Sequence, residues 1–139
     1  MTKHKALQEW VQPFLADNYL YFQSADAYPD IRVLVPEYGE YLIRTDICGF
    51  KYRAYNFVFI GYQQLDTGTS DVNIENMDVF DKFNEWLEEQ ITARNYPNFG
   101  ENCDEYEIVP LQNMANLSAV SEDGLAQYML AARIEYREE

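Results

Sequence analysis

Between Asp71 and Pro97 the chain reads DVNIENMDVFDKFNEWLEEQITARNYP, and this stretch holds one strongly patterned helix. Stepped at about 100° per residue, Val79, Phe80, Phe83, Trp86, Leu87 and Ile91 fall within an arc of about 140°. Asp81, Glu85, Glu88 and Glu89 take the other side. Asn76 or Asp78 can cap the start, after a short helical or turn segment, and Pro97 ends any continuation. Such a helix is stable only when its apolar stripe lies on something. The rest of the chain must supply that surface.

Most of the remainder has strand character. Leu7, Trp10, Val11, Phe14 and Leu15 form one face of an N-terminal helix, which Pro13 is expected to kink or interrupt. Tyr19 to Phe22 is β-prone, and Ile31 to Val35 reads as a short strand closed by Pro36. Tyr41 to Ile47 and Lys51 to Tyr62 form a hairpin around Cys48-Gly49. After the main helix come a loop over 95–104, an edge strand from Glu105 to Leu111 ended by Pro110, and a second hairpin. That hairpin joins Met114–Val120 to Leu125–Tyr136 through Glu122-Asp123-Gly124. Its final strand alternates, with Tyr128, Leu130, Ala132, Ile134 and Tyr136 on one face and Gln127, Arg133, Glu135 and Arg137 on the other. Phe57, Val58, Phe59 and Ile60 are consecutive instead, which fits a central strand covered on both faces by helices and by another layer or a neighbouring subunit. The expected fold is a single α+β domain over residues 1–139, a mainly antiparallel sheet of about four to five strands packed against two helices.

Composition excludes several classes. The 47% apolar and 16% aromatic fractions fit neither a disordered chain nor a coiled coil. A net charge of −14 argues against reading a phosphate backbone, so no nucleic-acid sequence recognition is expected. No apolar run approaches the roughly 20 residues of a membrane span, and no signal peptide precedes the first helix, so a cytoplasmic location is expected. Cys48 and Cys103 are too few for a disulfide framework or a zinc site and read as reduced structural thiols. His4, the only histidine, lies in a first turn expected to fray, which leaves histidine-based catalysis and metal binding without residues. Glu101, Asp104, Glu105 and Glu107 lack the residue order of a calcium loop, and no cofactor motif is present.

The helix segment carries a resemblance. Asn73-Ile74-Glu75-Asn76, a short gap, and then an aromatic-rich helix with Trp86-Leu87-Glu88-Glu89-Gln90 resembles the tail-terminator proteins, also called minor capsid proteins, of long-tailed phages and prophages of Gram-positive bacteria. The order of elements is similar over about four-fifths of the chain: an N-terminal helix, a hairpin with Phe57-Val58-Phe59, the helix, and a final hairpin. The resemblance implies an α+β sandwich whose protomers form a hexameric ring. That ring would close the tail tube, meet the major tail tube protein on one side and meet the head-completion or connector protein on the other. Its place would be the bacterial host cytoplasm during assembly and then the virion tail. Ring contacts would draw on the few basic residues, with Arg44, Arg53 and Arg133 placed on strands to meet neighbouring carboxylates. Phe57 and Phe59 would supply the non-polar part of such an interface.

Two other classes compete. A small acidic adaptor, regulator or DNA mimic would share the charge without a ring. Asp66-Thr67-Gly68 matches the short signature of a homodimeric aspartic protease, but neither Gly100 nor Gly124 follows a hydrophobic pair that could brace the aspartate loop, and a helix follows directly. Turn chemistry explains Asp66 more simply, and a non-enzymatic protein is expected.

Overall fold

β4 (Lys51–Gln64) and β7 (Leu125–Glu138) are each 14 residues long. They pair antiparallel along their whole length, from Lys51 opposite Glu138 to Gln64 opposite Leu125. In this computed structural model the described residues are 2–15, 19–23, 31–36, 42–64, 71–112, 115–120 and 124–139, with backbone alone for 71–76, 116, 118 and 119.

Each central strand has a flank built from two pieces. β2 (Arg32–Pro36) lies along residues 57–61 of β4, and β3 (Leu42–Thr45) continues the same side along residues 51–53. On the far side β5 (Cys103–Pro110) and β6 (Asn116–Val120) divide the outer edge of β7 in the same way. β1 (Leu20–Phe22) pairs parallel to β2, the one parallel contact among the described strands. The result is an α+β fold with seven strand segments arranged five across, more than the four to five expected, because both flanks are broken. β4 is central, as its consecutive apolar residues require, and β5 is an edge, as Pro110 requires.

α1 (Lys3–Leu15) and α2 (Asp71–Ala93) cover one face. Both reach Phe59: the Phe14 ring sits 6.1 Å from it, edge-on, and Phe83 stacks on it at 4.3 Å. Leu7, Val11, Phe80, Phe83 and Leu87 pack with Phe57, Phe59, Leu130 and Ile134 in one buried core. The two predicted hairpins are present: β3 turns into β4 through Asp46, whose Oδ1 accepts from the Cys48 and Phe50 amides, and β6 pairs with β7. Glu122-Asp123 lies outside the described residues.

Several local expectations change. α2 is continuous from Asp71, so its start precedes both Asn76 and Asp78. α1 runs through Pro13, which falls in its last turn, where little helix remains to be disrupted. Ile91 is exposed, and Trp86 is only half-buried, wedged against Trp10 (4.8 Å) and Phe14 (5.8 Å) between the helices rather than on the sheet. His4 is not frayed: its ring bonds to the Tyr55 hydroxyl and packs against Phe22. β5 begins at Cys103 because the preceding segment buries Phe99 against Tyr136 and Tyr106.

Gly61 shows how closely α2 approaches. A Cβ there would lie 2.5 Å from Cζ of the fully buried Phe80. Glycine at this point therefore sets the helix–sheet spacing. Gly61→Ala is expected to destabilise by about 1–3 kcal/mol through overpacking. Phe83→Ala should lose about 3–5 kcal/mol and Trp86→Ala less, because the indole is only half-buried. Urea denaturation of the three variants checks the ranking.

Candidate functional site

The register of β4 on β7 decides which side chains are available. Facing the helices, Gly61 lies opposite Tyr128, Phe59 opposite Leu130, Phe57 opposite Ala132 and Tyr55 opposite Ile134. Phe57 and Phe59 have no exposed surface. They are core, and they offer nothing to a neighbouring subunit. The other face carries no described helix. Its middle is apolar, with Val35, Val58 and Ala131 in one row and Val33, Ile60 and Met129 in the next. Of these Val33 and Val58 are buried, and the rest are half-buried. Val58 and Ile60, not Phe57 and Phe59, are the apolar residues of β4 on that side. Gly61 carried the signal, since Phe57 and Phe59 share its parity and must share the helix-covered face.

Toward the N-terminal end of β4 the same open face becomes charged. Asn56, Arg133 and Val109 form one row, and Ala54, Glu135 and Glu107 the next. Arg44, Tyr52, Arg137 and Asp104 form a third, spanning the sheet from β3 to β5. Arg44 lies 3.7 Å above the Tyr52 ring. Arg137 grips Asp104 with two bonds, 2.8 Å from Nε and 2.6 Å from Nη2, stands 3.3 Å from Glu105 and lies over Phe50. This guanidinium holds the Asp104 carboxyl below its ordinary range. Arg133 meets Glu135 at 3.5 Å. Of the interface residues expected from sequence, Arg44 and Arg133 lie on this face.

Arg53 does not. Its Nε donates to Glu138 Oε1 at 2.9 Å on the helix side, where Lys3 Nζ donates to Oε2 of the same carboxylate at 2.6 Å. Glu138 thereby ties α1 to β4 and β7, and Arg53 is held within its own protomer. Cys103 lies nearby, 3.7 Å from Glu138 Oε2, and burial pushes its thiol up, away from the nucleophilic thiolate. Cys48 is exposed in the β3–β4 turn, so a structural role does not extend to it.

A cavity of about 290 Å³ opens between α2 and the end of β5, lined by Asn84, Glu88, Pro110, Leu111 and Gln112. Gln112 fastens this corner: its Oε1 accepts from the Ala131 amide at 2.6 Å, and its carbonyl accepts from Asn84 Nδ2 at 3.1 Å. Among the described residues no cluster of three or more His, Cys, Asp or Glu could hold a metal ion, and no helix is long and apolar enough to cross a membrane. Asp66-Thr67-Gly68 lies outside the described residues. Compared with known protein families and with curated proteins, the chain matches none.

The Lys3–Glu138–Arg53 cluster makes acid stability a readout of the fold. Hydrogen bonding from Lys3 lowers the Glu138 pKa against the opposing effect of burial. A lowered carboxylate contributes stability above its unfolded pKa of about 4.3 and loses it as pH falls through the folded value. Glu138→Gln should therefore reduce stability at neutral pH and flatten the decline below about pH 5. Urea midpoints measured from pH 7 to pH 3 check this; an unchanged acid slope would show that the cluster adds nothing.

Proposed function

We propose that this chain is a structural, non-enzymatic subunit of a phage or prophage tail, a terminator that closes the end of the tail tube as a ring of identical copies. The observation that carries the reading is the pair of unlike sheet edges. On one side β1 and β3 are the outermost described strands, with Tyr19, Tyr21, Leu42 and the fully exposed Ile47 beside them. On the other side β5 and β6 are the outermost described strands, with Leu111, Leu117 and Val120 exposed. Unpaired strand edges dotted with apolar residues invite another chain. Because the edges differ, joining one to the other is a head-to-tail contact, which either closes into a ring or runs on as a filament.

The resemblance in the Asn73–Gln90 segment supplies the choice of ring and the expected six copies. Its expected partners are the major tail tube protein and the head-completion or connector protein, met during assembly in the bacterial host. The α+β architecture agrees with what that resemblance implies. Mechanistically, a ring matched in symmetry to the tube end would occupy the growing surface and stop its extension. The acidic outer surface of α2, where Asp78, Asp81, Glu85, Glu88 and Glu89 are exposed, favours a second reading as an acidic adaptor for basic partners.

Charge separates the two. A ring of six chains carries −84 formal charges, six times the −14 of one. Repulsion among exposed carboxylates decays over a Debye length of about 8 Å at physiological salt. Light scattering across a salt and concentration series should show a monomer at low salt and larger species as either rises. A monomer throughout, even with tail tubes added, would favour the adaptor.

A further inference from the structure

The charged row of the open face ends differently on its two sides. At the β3 edge Arg44 is exposed, stacked on Tyr52, and makes no ion pair among the described residues. At the β5 edge stand Asp104, Glu105 and Glu107, and Arg137 is committed to the first two. Glu107 sits opposite another carboxylate, Glu135, whose cation is Arg133. Glu107 is exposed and without a cation among the described residues. One edge is thus short of an anion and the other of a cation, with Glu107 one row further along the sheet than Arg44.

We propose that copies of this chain join with β3 of one beside β5 of the next, Arg44 facing Glu107. The proposal rests on the ring reading above and names its contact. Charge selects the pairing: two β3 edges would oppose Arg44 to Arg44, and two β5 edges would oppose carboxylate to carboxylate. Only the unlike edges attract, so the contact is head-to-tail rather than a two-fold dimer. Strand direction agrees. β3 is antiparallel to β4, β4 to β7, and β7 to β5. A sheet continued from copy to copy without being turned over therefore sets β3 antiparallel to β5. The bulge between Asp104 and Glu107 and the missing N–H of Pro110 break the outer ladder of β5, so side chains carry the recognition. Leu42 and Ile47 add apolar area from the β3 side.

Charge reversal tests it at about 0.15 M salt, with assembly size read by analytical ultracentrifugation. Arg44→Glu and Glu107→Lys should each weaken association at least about tenfold, and the double variant should return to within about threefold of wild type. Assembly of the double variant also shows that neither exposed substitution unfolds the chain. Single variants that assemble like wild type would place the ring contact elsewhere and overturn this inference while the ring stands. A folded double variant that stays dissociated would overturn it as well. Wild-type chains that remain monomeric at every concentration and with tubes present would remove the ring and this contact together.

Discussion

The ladder between β4 and β7 is the constraint on which everything else depends. One residue of slip would send Phe57 and Phe59 to the open face and bring Val58 and Ile60 under the helices. The resulting core would lack the ring that stacks on Phe83 and the gap at Gly61 that admits Phe80. The alternation of β7 pins the same register from the other side, since Tyr128, Leu130, Ala132, Ile134 and Tyr136 are buried in sequence and their neighbours are not. Two independent patterns agree on one alignment, which is what a unique fold needs.

Cations are scarce in this chain, and their placement shows what the fold spends them on. Lys3 and Arg53 converge on Glu138, and Arg137 on Asp104 and Glu105. These contacts stitch α1, β4, β5 and β7 together at one end of the sheet. Exposed pairs of this kind contribute little each, but Glu138 and Arg53 are mostly shielded, so their geometry restrains the end of the ladder more than their number suggests. At the opposite end Phe80 packs on Tyr128, and Arg32 lies over the Phe80 ring and donates to the Ile31 carbonyl.

Much of this was legible in the amino-acid sequence. The stripe of α2, the alternation of β7, the turn at Asp46–Phe50 and the edge position of β5 all follow from periods and turn residues that local sterics impose. The face assignment of β4 did not follow, because four consecutive apolar residues carry no parity; Gly61 held it, but only as the mark of a helix whose approach the sequence does not locate. Arg53 looked like Arg133 on sequence and differs only through its register. The broken flanks were unreadable too, since short segments such as β1 and β3 take their pairing from strands far along the chain. The acidic edge of β5 appeared in sequence only as a charge run, and its significance came from the bulge that turns Asp104 and Glu107 to the same face.

The spacing of the two central strands also has a consequence for the chain as it is made. The closest partners in their ladder, Gln64 and Leu125, are 61 positions apart (125 minus 64). At about 5–20 residues per second, β4 leaves the ribosome roughly 3–12 s before the first residue of its partner. Through that interval the edge that will carry β7 has no mate, since β2 and β3 pair with the other edge and α1 and α2 cover a face. The stacking of Phe83 on Phe59 covers its face but not its hydrogen-bonding edge. The nascent chain thus passes through a stage with an open, β-prone edge, the form most prone to pair with a second nascent copy before its own β7 arrives.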